Sequence, residues 1–311
     1  MSILVVGGAG FIGSVLVKKI CKESDVIVID KLSLGKEKYL DKENVKFYKI
    51  DINNKNQVLK VLKGEKIEEV WHLAANSDIP AGIKNISVDL NDTFLSTISL
   101  LEIMKVIDCK VLNFASSSAI YGEHENRLHE DIGPLLPISN YGAMKLSSEA
   151  AISASLESYL DMVRIYRFPN VVGIPATHGV ILDFIKKLKN NTQELMVLGN
   201  GTQQKTYIHV SELVDAMLFI NNNAIENMNI YNIGAMDDGV SVKYIAETVV
   251  KKVSPKAKIT YQDSDRGWIG DIPRFFYSVD KLKGLGWFPS LSSSEAISRA
   301  VNEIALQCDS K

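Results

Sequence analysis

Gly7-Gly8-Ala9-Gly10-Phe11-Ile12-Gly13 is the stretch that decides how the rest of this chain is read. It follows the apolar run Ile3-Leu4-Val5-Val6 and opens a stretch, Phe11 to Cys21, with apolar residues at three- and four-residue spacing. A strand, a tight glycine turn and a helix in that order point free N–H groups of a helix N-terminus at a phosphate. Glycines spaced G-x-x-G-x-x-G let a pyrophosphate approach the backbone and let helix and strand pack closely. Such a turn also occurs without any ligand, so the surrounding pattern has to decide.

Outward from the turn, Val26-Ile27-Val28-Ile29, Val45-Lys46-Phe47-Tyr48, Glu69-Val70-Trp71-His72 and Val111-Leu112-Asn113-Phe114 read as further strands. Helical patterns lie between most of them, Thr93 to Ile107 among them. Strand-helix alternation predicts an α/β fold, a Rossmann-like doubly wound parallel sheet covered on both faces. The unbroken apolar run Val26 to Ile29 agrees, because strands of such sheets are buried on both sides. The second half is less regular. Pro169, Gly173, Pro175 and Gly179 interrupt it, and Asn190-Asn191 and Gly199-Asn200-Gly201 read as turns. Ile208-His209-Val210 and Tyr231-Asn232-Ile233-Gly234 read as short strands, and a last helix starts at Ser293. The expected division is a nucleotide-binding domain from 1–168 plus 207–234, and a smaller α/β substrate domain from 169–206 plus 235–311.

The bulk properties exclude several classes. The 311 residues suit two domains of roughly 150 residues each. A formal net charge of -2 gives no pull toward nucleic acid or an anionic membrane, so neither is an expected partner. Cys21, Cys109 and Cys308 are too few and too scattered for a disulfide framework or a metal site. They read as reduced thiols, and with neither a signal peptide nor a bilayer-length apolar run the expectation is a cytoplasmic protein.

Three features carry chemistry. Asp30 ends the second strand, 20 residues after Gly10. A carboxylate there accepts hydrogen bonds from adenosine ribose hydroxyls and repels a 2′-phosphate, which favours NAD over NADP; Lys31 beside it softens that preference. Tyr141-Gly142-Ala143-Met144-Lys145 places a phenol and an ammonium on one helix face. A free phenol, with a pKa near 10, is useless as a base at neutral pH. The ammonium and a positive nicotinamide ring would both favour phenolate, which could take a proton from an alcohol. Ala115-Ser116-Ser117-Ser118 follows a strand, at the end of a parallel sheet where ligands bind, and one of its hydroxyls could hold the reacting oxygen. Each feature alone has a bland reading as a solvated strand end, a surface pair or a turn; their combination in this order does not.

Taken together, the chain resembles the extended short-chain dehydrogenase/reductase family, the NAD-dependent nucleotide-sugar epimerases and dehydratases. The resemblance runs nearly end to end: Gly7 to Gly13, Asp51-Ile52, His72-Leu73-Ala74-Ala75, Ser117-Ser118-Ala119-Ile120-Tyr121-Gly122, Arg167-Phe168-Pro169-Asn170-Val171, Gly199-Asn200-Gly201-Thr202-Gln203, Tyr207-Ile208-His209-Val210 and Leu285-Gly286-Trp287-Phe288-Pro289. It implies NAD contacts from Gly7, Gly10, Phe11, Ile12, Gly13, Asp30, Lys31, Ser33, Asp51, Ile52, Leu73, Ala74, Ala75, Ala115, Tyr141, Lys145 and Phe168. Counting back from Tyr121-Gly122, it puts the catalytic hydroxyl on Ser117, with Tyr141 and Lys145 completing the set. Ser117, Ser118, Asn170, Val197, Lys205 and Arg266 are the implied substrate residues.

Departures narrow the subtype. Dehydratases of the family carry Asp-Glu directly after the catalytic hydroxyl; Ser118 and Ala119 stand there, and neither protonates a leaving hydroxyl. Redox at one carbon remains, by resemblance C4 of a UDP- or GDP-linked sugar: a 4-epimerase or a 4-dehydrogenase. The chain is also similar as a whole to enzymes acting on GDP-heptoses in bacterial capsule synthesis. Lys205 replaces the family's diphosphate arginine, Trp268-Ile269 precede Gly270-Asp271 where a second arginine is usual, and Arg266 or Arg274 is the alternative. Thr93 stands in place of an asparagine. A ketosugar or small-carbonyl reductase uses the same residues in reverse, and a non-catalytic NAD-binding regulator would need none of the three. The resemblance implies a homodimer or higher oligomer through a four-helix bundle, built from Thr93 to Ile107 and Tyr141 to Leu156; Ile98, Leu101 and Met104 are candidate contacts that serve equally as core.

Overall fold

The computed structural model describes residues 1–41, 43–267 and 272–309. They form two compact units, 1–120 with 140–167 and 217–231, and 121–139 with 168–216 and 232–311.

The first unit is built on strands β1 (Ser2–Val6), β2 (Asp25–Asp30), β3 (Val45–Lys49), β4 (Ile67–His72), β5 (Val111–Ala115) and β6 (Met162–Arg167). Its helices are α1 (Phe11–Ile20), α2 (Lys55–Val61), α3 (Ile79–Lys84), α4 (Ile86–Asp89), α5 (Ser96–Val106) and α6 (Asn140–Ser158). With β11 (Met228–Asn232), the strands make a seven-stranded sheet in the order β11-β6-β5-β4-β1-β2-β3. The pairs from β3 through β6 are parallel. Alternate residues of the β-branched strands, such as Ile27 and Ile29 of β2 and Val163 and Ile165 of β6, enter one core with Leu100, Met104 and Ile152 of the covering helices. The order reverses direction at β1, and in open parallel sheets ligands bind outside the carboxyl ends at such a switch. The glycine turn, Asp30, Leu73-Ala74-Ala75 and Ser116-Ser117 all follow or close the carboxyl ends of β1, β2, β4 and β5.

The second unit contains β7 (Asn170–Val172), β8 (Glu194–Val197), β9 (Gln204–Lys205), β10 (Tyr207–His209), β12 (Val240–Ser241) and β13 (Lys258–Tyr261). Its helices are α7 (Val180–Asn190), α9 (Val242–Val253), α10 (Asp280–Leu285) and α11 (Ser293–Asp309), while α8 (Val210–Asn223) runs from this unit into the first. Three two-stranded pairs, β10-β7, β12-β9 and β13-β8, replace a continuous sheet. The apolar faces of α7, α9 and α11 close over them around Phe184, Leu195, Ile245, Val249, Ile297 and Val301.

Four details differ from the sequence expectations. Residues 207–216 sit in the second unit because β10 pairs with β7, residue for residue from Tyr207 on Asn170 to His209 on Val172. Residues 121–139 join it as well: Tyr121 donates to Asn232 Oδ1 (2.7 Å), and Leu128 N donates to Phe276 O (2.7 Å). The strand expected at Tyr231–Gly234 lies earlier, at Met228–Asn232. The helix expected from Thr93 begins as a π-helical turn, Leu90–Leu95, before α5. There Ser96 Oγ donates to the carbonyls of Asp92 and Thr93, and Thr97 Oγ1 to that of Thr93; such side-chain bonds compete with the regular ladder.

Candidate active site

The glycine turn is shaped by close backbone approach. Gly7 has φ +84°, and a Cβ on it would lie 2.5 Å from the nitrogen of Ala74. A Cβ on Gly13 would run into the carbonyl of Gly7. Gly10 precedes α1 and no side chain caps that helix; Ser14 N bonds back to Gly10 O at 3.0 Å. Phe11 and Ile12 remain partly open to solvent, so the first-turn N–H groups are available to an anion. Leu73 N and Ala74 N both donate to Val6 O, at 2.8 and 3.0 Å, which brings the segment after β4 onto the end of β1. This tight turn at a helix start, packed too closely for any Cβ at Gly7 or Gly13, fits the approach of a dinucleotide pyrophosphate.

Asp30 is fixed in orientation: Oδ2 accepts from Ala9 N (3.0 Å) and Oδ1 from Leu32 N (2.7 Å), while burial pushes its carboxyl above the usual range. Lys31 does not offer a free cation there. Its Nζ lies 2.5 Å from Asp92 Oδ1 and 3.4 Å from Asp51 Oδ2. A 2′-phosphate at Asp30 would therefore meet a carboxylate beside an ammonium, that of Lys31, which is already engaged, and this favours NAD. Ser33 is exposed and Asp51 partly so, whereas the Ile52 side chain is buried in the core. Only the backbone of Ile52 is therefore open to a cofactor role.

The serine turn separates its three hydroxyls. Ser116 is fully buried, and its Oγ donates to Glu149. Ser117 Oγ accepts from Ala119 N (3.2 Å), and the Ser117 side chain favours the ionised form of the nearby Tyr141 phenol. Ser118 opens a short 3₁₀ turn, Ser118–Ile120. Lys145, 2% exposed, donates from Nζ to Ala115 O at 2.5 Å, and that nitrogen stands 6.0 Å from the centre of the Tyr141 ring. Helix α6 thus carries the phenol and the ammonium on one face, and the end of β5 supplies both the hydroxyl near the phenol and the carbonyl that holds the ammonium.

The protein's own surroundings act against ionisation of the Tyr141 phenol. Tyr141 sits deep in the protein although part of its ring is open; burial pushes it up to about 12, aided by the charge of Asp89 and opposed by the Ser117 side chain. Burial also lowers Lys145 to about 7, so the ammonium is a weak source of charge at neutral pH.

In the second unit, Lys205 lies in β9, paired antiparallel with β12. Gln204 N donates to Pro273 O (2.8 Å), and Gln204, one residue from Lys205 in the chain, pairs with the exposed Arg274. Arg266 is ion-paired with Glu123 at 2.7 Å. Val197, expected at the substrate, is fully buried in the core of this unit, and its side chain is not available to a ligand. Asn170 and Phe168 follow β6 in the chain, Asn170 partly exposed and Phe168 buried. Gly270-Asp271 and the preceding Trp268-Ile269 lie outside the described residues.

Residues not singled out from sequence also reach the site. Asn140 Nδ2 donates to Gly82 O (3.0 Å) and ties the start of α6 to α3. Asn76 donates to Asp89 Oδ1 (2.7 Å), a fully buried carboxylate whose other oxygen has no hydrogen-bond partner. Glu149 joins Ser116 to Arg167. Of these, only Glu149 had a legible signal, four residues beyond Lys145 on the same helix face.

Comparison with known proteins gives one consistent answer. Residues 3–234 match the model of the NAD dependent epimerase/dehydratase family. The chain is 33% identical over 234 residues to the UDP-glucose 4-epimerase of Lactobacillus helveticus, covering 70% of each. Its fold superposes on the UDP-glucose 4-epimerase of Thermotoga maritima, solved with UDP-glucose, with a TM-score of 0.89 and 27% identity over 100% of both chains. The UDP-glucose 4-epimerase of Thermus thermophilus, solved with NAD, gives a TM-score of 0.86 and 27% identity over 98% of this chain and 99% of that one.

Proposed function

This chain belongs to the NAD-dependent epimerase/dehydratase family, and from that premise we propose that it oxidises the C4 hydroxyl of a nucleotide-diphosphate sugar and returns the hydride to the opposite face, as a 4-epimerase. The observation that carries the reading is the placement of Tyr141 and buried Lys145 on one face of α6, with Lys145 Nζ 6.0 Å from the Tyr141 ring centre and held by Ala115 O, two residues before Ser117. The 4-epimerase relatives support C4 as the reacting centre.

The residues divide the work as follows. Gly7, Gly10, Phe11, Ile12 and Gly13 hold the dinucleotide pyrophosphate, and Asp30 its adenosine ribose. Asp51, Ile52 through its backbone, Ser33, Lys31, Leu73, Ala74, Ala75, Ala115 and Phe168 line the remainder. Bound NAD⁺ supplies the hydride acceptor and a positive ring that favours the Tyr141 phenolate. Ser117 Oγ holds the C4 oxygen beside Tyr141, and Tyr141 takes its proton. Lys145 holds the nicotinamide ribose. Lys205, with Arg274 paired to the adjacent Gln204, binds the diphosphate as a point charge rather than a bidentate fork. Arg266, Asn170 and Ser118 complete the substrate contacts. Ser118 and Ala119, standing where a dehydratase needs its acid and base, restrict the chemistry to redox.

The test is a panel of UDP- and GDP-sugars mixed with purified protein, followed by reduced-nicotinamide absorbance and sugar analysis. A new C4 epimer with no lasting NADH supports the 4-epimerase. Lasting NADH with one nucleotide series identifies the base and changes the reading to a 4-dehydrogenase. No reaction with any sugar removes the reading.

The protein is further proposed to work as a homodimer through α5 and α6. Leu101 and Met104, considered for that contact, are buried in the core of the single chain. Leu95 and Val106, 37% and 67% exposed, are the apolar residues in and just before α5 that face outward. Sedimentation showing only monomer at micromolar concentration would remove the dimer.

A further inference from the structure

A buried ionic cluster lies behind the reactive hydroxyls, and neither the cofactor cradle nor the proton step uses it. Glu149 stands one helical turn beyond Lys145 on α6 and is 6% exposed. Its carboxylate accepts from Arg167 Nε (3.1 Å, Oε1), from Arg167 Nη2 (2.7 Å, Oε2) and from Ser116 Oγ. Arg167 closes β6 and is 4% exposed. Ser116 is fully buried, and its backbone N–H donates to Tyr166 O at 2.8 Å.

One carboxylate thus joins three chain segments, and each segment carries part of the site. Ser116 lies between Ala115, whose carbonyl holds Lys145, and Ser117, which is near Tyr141. Arg167 directly precedes Phe168-Pro169-Asn170. Helix α6 carries Tyr141 and Lys145. Stability alone gives little reason for such a cluster, because a buried ion pair is often no better than apolar residues of equal volume.

We propose that Glu149 is a positioning residue that ties the ends of β5 and β6 to α6 and thereby sets the placement of Ser117 against Tyr141 and the seat and charge of Lys145. The inference rests on the roles proposed above for Tyr141 and Lys145. Burial lowers Lys145 to about 7, and the negative charge of Glu149 opposes that fall. The other charged or titratable groups on elements around it are Glu68, Glu69 and His72 on β4, Lys84 on α3, Asp89 on α4, Asp92 in the π-helical turn, Glu102 and Lys105 on α5, Arg164, Tyr166 and Arg167 on β6, and Tyr141 and Glu157 on α6. Burial holds His72 neutral, and Asp92 is paired with Lys31.

Two variants of the full chain test the proposal. Glu149→Gln keeps the shape and removes the charge; Ser116→Ala removes one hydrogen bond and keeps the charge. Lysine labelled with ¹³C at Cε reports the Lys145 titration by NMR, with Lys145→Arg identifying its signal. In Glu149→Gln the Lys145 midpoint falls by about one unit or more. Its kcat falls about tenfold or more while KM and NAD affinity stay within about twofold, and the alkaline limb of the kcat profile moves down with Lys145. Ser116→Ala lowers kcat by about threefold and leaves the Lys145 midpoint in place. A folded Glu149→Gln with a wild-type Lys145 midpoint and wild-type kcat overturns the proposal. So does a loss of kcat, KM and NAD affinity in step with melting temperature, which marks a merely structural residue. If Glu149→Gln fails to fold because Arg167 is left unpaired, Ser116→Ala with unchanged kcat overturns it. The titration needs no sugar, so a wild-type protein inert toward every sugar counts against the proposed reaction and leaves the Lys145 result to decide on Glu149.

Discussion

Tyr141 is the residue on which the chemistry turns, and its surroundings make a sharp prediction. Tyr141→Phe removes the oxygen that takes the proton while the ring continues to fill its place. Turnover should fall by about 10²–10⁴-fold, with NAD affinity within about twofold. Steady-state rates and a fluorescence titration of the cofactor check both halves. Asp30 makes a second prediction, because its two oxygens are held by Ala9 N and Leu32 N and so present a fixed acceptor. Asp30→Ala should weaken NAD and narrow the ratio of NAD to NADP affinity. An unchanged ratio would show that Asp30 does not read the ribose. The adjacent Lys31 cannot take over the reading, since Asp51 and Asp92 occupy its ammonium.

At the scale of elements, the turn between β1 and α1 tolerates less than its sequence alone conveys. Gly7 and Gly64 share nearly the same left-handed backbone, φ +84° and +83°, but Gly64 has open space around it. Gly64→Ala should cost only the conformational strain, about 1 kcal/mol, and leave NAD binding alone. Gly7→Ala adds a collision with Ala74 N and should cost more than twice as much and abolish NAD binding; denaturant melts and cofactor titration separate the two. The first-half strands were legible because a doubly buried strand leaves a continuous β-branched run, as at Val26 to Ile29, and the glycine turn marks its own helix. Tertiary pairing was not legible: Tyr207–His209 belongs with β7, and no local pattern announces that partner. Among the site residues, Tyr141 and Lys145 were readable from helical spacing. The special position of Ser117 was readable only from resemblance, because three adjacent serines look alike until the turn buries Ser116 and gives it to Glu149. The inward direction of the Val197 side chain was not legible either, since motif spacing does not show which way a strand-end side chain faces.

At the scale of the whole molecule, His72 links stability to pH. It is fully buried, its Nε2 meets Thr97 Oγ1 at 3.0 Å, and burial lowers it to about 3. Between an unfolded value near 6.5 and that folded value, the unfolded chain binds a proton that the native chain refuses. Stability therefore rises with pH through this window and is lost as pH falls, by at most about 5 kcal/mol for this group. Urea midpoints measured from pH 7 to pH 4 should fall, and His72→Gln should flatten that slope; an equal slope in the variant sinks the assignment. The division of the chain has a different kind of consequence. Residues 121–139, 168–216 and 232–309 alternate with 1–120, 140–167 and 217–231, so the chain passes between the two units five times. On the ribosome, where domains ordinarily complete themselves in order of synthesis, the first unit has to wait for its third segment, 217–231, after the second unit's earlier segments have been made. A nascent chain stopped before residue 228 has β6 with an open edge, because β11, its neighbour in the sheet, has not yet been made. Until residues 228–232 emerge, the growing chain therefore carries an unpaired strand edge and depends on whatever shields exposed strands in the cell.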